Sequence, residues 1–155
     1  MDVIDVKILE VLKDNSRVSI SELSKQVNLS LSAVSERLKK LESSKVIEKY
    51  TVILDPRALD KELSVLMSIS LENPHHTTTF LDFVKAEEEI LECHYITGEY
   101  DYVLKITTRN TMTLESMMNR IKSIPGIKRT QTNVILSTLK QLYSVSPTLK
   151  NGGRN

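Results

Sequence analysis

The sequence has a single cysteine, Cys93, and therefore no internal disulfide to form. That points to a reducing compartment rather than a disulfide-stapled secreted domain. No apolar run reaches the roughly 20 residues that a membrane-spanning helix needs. The opening Met1-Asp2-Val3-Ile4-Asp5 has neither the basic start nor the apolar stretch of a secretory leader. A cytoplasmic protein with no membrane partner is expected. An excess of one charge is missing too: 21 Lys and Arg against 20 Asp and Glu leave a net charge of +1. Overall basicity thus lends nothing to nucleic-acid binding, and any positive potential must be local or multiplied by self-association. A glycine-rich phosphate loop is absent. His75-His76 have no second ligand pair at useful spacing, so no metal site is expected. Cys93 and His94 are neighbours on an extended segment, point to opposite faces, and cannot act directly as a nucleophile–base pair. No cofactor and no catalytic residue is assigned.

What is present is enough apolar content for a core: 155 residues, 40% hydrophobic, the size of one ordinary domain or two small ones. The first third reads as helical. Ile4, Ile8, Val11 and Leu12 recur on one stripe, and Asp2 or Asp5 supplies the capping oxygen. Ser19 followed by Glu22 has the capping-box pattern, and Ile20, Leu23 and Val27 form the buried stripe of a second, short helix. Asn28 suits a left-handed stop. Ser30 or Ser32 caps a third helix with a Val34, Leu38 and Leu41 stripe. Val46 and Ile47 close the unit, and Tyr50 to Leu54 reads as a strand before Asp55-Pro56-Arg57.

From Leu63 the period becomes two. Leu63, Val65, Met67, Ile69 and Leu71 alternate with Ser64, Ser68 and Ser70. Asn73 to His76 is loop, and Phe80, Leu81 and Val84 mark a helix. Strands are expected over 90–97 and 102–107, joined by Gly98-Glu99-Tyr100-Asp101. Leu114, Met117, Met118, Ile121 and Ile124 mark a second helix, and Pro125-Gly126 turns the chain into a last strand from Ile127 to about Tyr143. The order βαββαβ folds as a four-stranded antiparallel sheet with both helices on one face. In the last strand Ile135 and Leu139 point away from Val134 and Leu136, toward the face without helices. That face is expected to meet another subunit. The fold class is α+β: a winged helix-turn-helix over 1–50, a connecting strand and linker over 51–62, a ferredoxin-like βαββαβ domain over 63–143 and a flexible tail over 144–155.

Two short amphipathic helices joined by a tight turn, the second opening with small polar residues and carrying cations further on, suit entry into a DNA groove. On the third helix Ser32, Ala33, Ser35, Glu36 and Lys39 fall on the outward arc. Ser32 and Ser35 can bond base edges, Ala33 can pack on a thymine methyl, and Arg37 or Lys39 can reach phosphate or guanine, with Lys40 beside them. Glu36 can accept from cytosine but repels phosphate. Ser21 and Ser24 are candidates for backbone contacts, while Ser30 and Ser32 also have an ordinary use as caps. The Gly98–Asp101 loop is chemically suited to a free amino acid. Its backbone amides can hold a carboxylate and Asp101 an ammonium, although both residues also serve in turns.

These segments together resemble the Lrp/AsnC, or feast/famine, family of transcription regulators. Asp5-Val6-Lys7-Ile8-Leu9, Asn15-Ser16-Arg17 and Leu29 to Glu42 are similar to its helix-turn-helix signatures. Glu92 to Lys105, Ile124-Pro125-Gly126-Ile127 and Thr130-Gln131-Thr132-Asn133-Val134 are similar to its effector-domain signatures. The resemblance covers nearly the whole chain up to Tyr143. It implies a regulator of double-stranded DNA that assembles as a homodimer and on to a tetramer or octamer. It also implies an amino-acid effector bound between effector domains near Gly98, Glu99, Tyr100 and Asp101, with Thr130 and Thr132 at family positions beside that cleft. Where the family often has glycine before Val46-Ile47 this chain has Lys45, so a different helix end is expected there. A basic arm found ahead of the first helix in some members has no counterpart before Asp2. Two rival readings share the scaffold. A tetrapyrrole decarboxylase would need histidines or arginines gathered in the cleft, for which His94 and Arg129 are available but few, and an architectural protein would compact DNA with little sequence preference.

Overall fold

The computed structural model describes residues 1–149; residues 150–155 of the expected tail lie outside the described residues. The described residues divide into two units, Met1–Val52 with residues 140–149, and Ile53–Leu139.

Three helices build the first unit: α1 (Val3–Asp14), α2 (Ile20–Val27) and α3 (Leu31–Ser43). Each starts where a short polar side chain can accept the unpaired N–H groups of a first turn. Asp2 and Asp5 form a reciprocal capping box on α1. Ser19 accepts from the Glu22 N–H on α2, which is one half of the expected box. Of the two serines offered for α3, Ser30 is the cap and accepts from the Ala33 N–H. Asn28 stops α2 at φ 55°. The three apolar stripes meet in one core of Ile8, Leu23, Val27, Val34 and Leu41, with Ile4, Leu12, Leu38 and Ile47 at its margin.

Lys45 takes the left-handed conformation itself, at φ 58°. The Val46 N–H donates to the Leu41 carbonyl and the Lys45 N–H to that of Glu42. That is the full Schellman closure, with Lys45 in the left-handed position that glycine usually takes. Nor do residues 50–54 form a strand. They have no ladder partner among the described residues, and Val52 is 78% exposed. Propensity alone does not make a strand when no neighbouring edge supplies its hydrogen bonds.

The second unit holds β1 (Leu63–Leu71), α4 (Thr77–Ala86), β2 (Ile90–Tyr95), β3 (Tyr102–Thr108), α5 (Thr111–Lys122) and β4 (Ile127–Val134). The sheet is antiparallel with strand order β2-β3-β1-β4, as the βαββαβ order requires. Val65, Met67 and Ile69 of β1 and Tyr102, Leu104 and Ile106 of β3 pack with Phe80, Val84, Met117 and Ile121 of the helices. Neither α4 nor α5 covers the other face. Leu66 and Val103 lie there, with Ile135, whose N–H donates to the Ser64 carbonyl. β4 stops eight residues into the expected stretch because it runs antiparallel to β1 and passes off the end of that strand at Leu63. Leu136 and Leu139 therefore lie beyond the sheet and are almost fully exposed; of the apolar residues assigned to the open face, only Ile135 is on it.

Candidate functional site

The turn between α2 and α3 is fixed from within. The Leu29 N–H donates to the Ser24 carbonyl and the Ser24 hydroxyl donates to the Leu29 carbonyl. Ser24 is thus engaged in the turn, whereas Ser21 is exposed. With Val34 and Leu41 inward, Ser32, Glu36, Lys39 and Lys40 line the exposed side of α3, and Ala33 and Ser35 stand half-buried on its flanks. Ser30 is exposed, and its hydroxyl lies 3.1 Å from that of Ser32. Leu31, at the first helical position, is 54% exposed. Sequence reasoning missed it because i, i+3 spacing aligns it with Val34 and the core stripe.

Arg37 is placed differently from its neighbours. Its Nη1 donates to Asp2 Oδ2 and Asp5 Oδ1, each at 2.7 Å. The guanidinium offered to phosphate or guanine is bound to two carboxylates of α1 instead. These bonds lower the Asp2 carboxyl below its usual range, the Asp5 backbone N–H contributing most and Arg37 next, and they raise Arg37 in turn.

In the second unit the β2–β3 hairpin closes with the Ile96 N–H on the Asp101 carbonyl. Gly98 is exposed, with φ +123° and open space where a side chain would stand. Glu99 and Tyr100 are latched to β4. Arg129 Nη1 lies 2.6 Å from Glu99 Oε1 and its guanidinium 4.9 Å from the Tyr100 ring centre, and the Tyr100 hydroxyl donates to Gln131 at 2.9 Å. Ser70 adds a bond to the Glu99 carbonyl. Asp101 turns the other way. Its Oδ2 accepts the Leu71 N–H at 2.8 Å, and its carboxylate lines a cavity of about 280 Å³ with Asn73, Thr77, Tyr95 and Tyr102. Thr130 and Thr132 pair with Ile69 and Met67 and so lie on the helix-facing side; they are not among the cavity's lining residues. Thr132 Oγ1 is buried without a hydrogen-bond partner. Asn73, Thr77 and Tyr95 were missed, since the stretch after β1 and the end of β2 join Asp101 around the cavity only in the fold, and no sequence spacing links them.

The remaining chemistry-bearing residues are dispersed. Among the described residues no three His, Cys, Asp or Glu side chains gather to hold a metal ion. Cys93 is half-buried, which pushes its thiol up, while His94 faces out toward Glu92. His94 is on β2 and Arg129 on β4, opposite edges of the sheet. Three strand spacings separate them, on the order of 14 Å, too far to act on one group. No helix among the described residues is long and apolar enough to cross a membrane.

Comparison with known proteins agrees with this geometry. Residues 1–48 match the family described as winged helix-turn-helix DNA-binding, and residues 64–145 match the Lrp/AsnC ligand binding domain. The HTH-type transcriptional regulator FL11 of Pyrococcus abyssi is 37% identical over 141 residues, covering 91% of this chain and 93% of the relative. The leucine-responsive regulatory protein of Haemophilus influenzae is 36% identical over 144 residues, covering 91% and 87%. Among solved structures, a transcriptional regulator from Neisseria meningitidis in complex with L-Met superposes with a TM-score of 0.90 at 29% identity, covering 97% of each chain. Escherichia coli AsnC gives 0.87 at 26% identity, covering 95% of this chain and 99% of that one. An outward polar face on α3, a βαββαβ sheet behind a glycine–aspartate loop, and matches to both family halves lead to one conclusion: the chain belongs to the Lrp/AsnC family and is a DNA-binding transcription regulator with a ligand-binding domain.

Proposed function

We propose that this regulator reads double-stranded DNA through the first turns of α3 and responds to a free amino acid held at the Gly98–Asp101 loop. Ser32, Ala33 and Ser35 approach base edges, Lys39 and Lys40 neutralise phosphate, and Ser21 and Ser30 contact the backbone beside them. The single observation that carries this reading is the outward side of α3, where small polar residues and lysines stand exposed beside a core sealed by Val34 and Leu41. For the effector, the backbone at the exposed Gly98 would meet the carboxylate of an amino acid and the Asp101 carboxylate its ammonium. Leu71, Tyr95 and Tyr102 line the adjoining cavity and favour an apolar side chain. The L-Met bound by the Neisseria regulator and the name of the Haemophilus relative fit that choice.

The working form in this reading is a homodimer that assembles further. The sheet face that α4 and α5 leave uncovered carries Leu66, Val103 and Ile135, and Val52, Leu136 and Leu139 are exposed at levels unusual for a monomer's apolar residues. Dimers place two α3 helices on one side of the duplex, so half-sites fall whole helical turns apart. An effector that binds one assembly better than another shifts that spacing. The reading assigns no catalysis and places the protein in the cytoplasm, where one half-buried cysteine stays reduced.

Fluorescence anisotropy against DNA from upstream of the protein's own gene, with random duplex as reference, tests the DNA reading at physiological salt. A preference of about a hundredfold or more is expected. Equal affinity for both duplexes would turn the reading toward an architectural protein. Titrating leucine and methionine into the complex tests the effector. A monomer by light scattering at micromolar concentration would remove the assembly.

A further inference from the structure

The contact between α3 and α1 has a use beyond stability. Asp2 and Asp5 together have four carboxylate oxygens, and every one is occupied. Asp2 Oδ1 accepts the N–H groups of Ile4 and Asp5, and Asp5 Oδ2 accepts the N–H of Asp2, all at 2.9 Å. The two remaining oxygens both accept from Arg37 Nη1. The carboxylates that terminate α1 therefore also grip α3, and they do so 32 and 35 residues away in sequence. Side-chain exposure is 8% for Asp5, 29% for Arg37 and 54% for Asp2. The inner half of this clamp is out of water, where a charge-assisted bond is strong and losing one partner strands the other.

Apart from the exposed Tyr50–Glu42 hydrogen bond near its C-terminal end, the other contacts that hold α3 are apolar: Val34 and Leu41 at the centre, Leu38 at the margin. Burial of this kind is non-directional, and it fixes how far the helix lies from its neighbours better than how it is rolled about its axis. A guanidinium nitrogen shared between two anchored oxygens is directional. Arg37 follows Glu36 and precedes Lys39, so any roll of α3 that breaks it moves the whole outward face.

We propose that Arg37 is a positioning residue for DNA readout: anchored on Asp2 and Asp5, it sets the roll of α3 and thereby the register of Ser32, Ala33 and Ser35 on base edges. It makes no contact with phosphate or base. The inference rests on α3 being the DNA-reading helix.

The test uses the full chain and a duplex that the wild-type protein selects from a randomised pool, with its scrambled counterpart as reference. Anisotropy is followed over a salt series, below the unfolding transition of each variant. Arg37→Met and the Asp2→Asn/Asp5→Asn double variant are expected to behave alike. Both should bind the scrambled duplex as wild type does, with the same salt slope, and both should lose about tenfold or more of the preference for the selected duplex. Three results would overturn the proposal. A salt slope smaller by about one in Arg37→Met with preference retained would make Arg37 a phosphate contact. Tighter binding to both duplexes by the Asp variants would make the carboxylates mere repelling anions. Unchanged preference in a folded Arg37→Met would leave the clamp only structural. Should Arg37→Met fail to fold, Asp2→Asn alone keeps the cap acceptors and loosens the exposed half; unchanged preference there overturns the proposal equally. A wild-type protein that selects no duplex would instead reject the DNA reading, and the inference with it.

Discussion

The imidazole of His76 lies directly against Gly126, so that a Cβ at position 126 would stand 2.1 Å from the ring's Cγ and Cδ2. Gly126 also has φ +85°, and its carbonyl accepts the Glu72 N–H. The turn into β4 and the turn into α4 are thus locked together at the end of β1. Gly126→Ala is expected to destabilise the protein by about 2–4 kcal/mol, from the left-handed φ plus overpacking against the ring. His76→Ala in the same background should recover the overpacking part but not the φ part. Urea unfolding of the two variants checks this; a loss below about 0.5 kcal/mol for Gly126→Ala would mean the contact is not tight.

The helix caps were legible in the sequence because each is a local arrangement, its donor and acceptor within about one helical turn of each other. Asp2 with Asp5, Ser19 with Glu22 and Asn28 at its left-handed stop all follow from short-range geometry. The sheet order followed from period-two alternation and from the helices between the strands. What was not legible depends on distant partners. Arg37 and Lys39 look equivalent as sequence, and only the fold brings Asp2 and Asp5 to one of them. The end of β4 depends on where β1 begins, and Tyr50–Leu54 finds no partner edge among the described residues. The Gly98–Asp101 loop stood out in the sequence by its glycine, whereas the cavity beside Asp101 is assembled from three segments.

Lys45 provides a stability test of opposite sign. It holds φ 58° at the end of α3, where the closing hydrogen bonds require a left-handed residue. Lys45→Gly should raise stability by roughly 1 kcal/mol, since glycine adopts this conformation without a Cβ penalty. Lys45→Ala retains the penalty and should change little. If the glycine variant unfolds at lower denaturant than wild type, the left-handed closure is absent in solution.

Glu36 and Lys39 stand on the same exposed side of α3 with opposite charge. Lys39→Ala should weaken binding to every duplex alike and reduce the salt slope by about one. Glu36→Gln removes an anion from the face presented to phosphate. It should tighten binding to random duplex while lowering the preference for the selected one, wherever Glu36 accepts from cytosine. Parallel salt titrations separate the two. A Lys39→Ala variant with an unchanged slope would take this lysine off the DNA.

Tyr50 donates its hydroxyl to Glu42 at 3.0 Å, and its pKa is pushed up to about 12, burial first and the Glu42 carboxylate next. Relative to an unfolded pKa near 10, the folded state keeps its proton longer. The contact therefore contributes fully below about pH 10 and is lost as pH rises from there toward 12. Absorbance titration of tyrosinate should show a late-ionising group that disappears in Tyr50→Phe. If the substitution leaves the high-pH end of the curve unchanged, Tyr50 ionises with the other tyrosines.

Asp101 has two roles that substitution can separate. One carboxylate oxygen accepts the Leu71 N–H, and the side chain also borders the cavity at the end of β1. Asp101→Ala removes the acceptor and leaves a half-buried N–H unpaired, a loss of about 1–3 kcal/mol. Asp101→Asn keeps an acceptor oxygen at similar size but removes the charge. It should fold nearly as well as wild type and still fail to bind leucine or methionine, because the ligand's ammonium then meets no anion. Calorimetric titration of the Asn variant decides the matter. Retained amino-acid affinity in a stable Asp101→Asn would reduce Asp101 to a staple of the hairpin and move the effector site elsewhere on the sheet. Lost affinity with intact stability would identify the carboxylate as the group that recognises the ammonium.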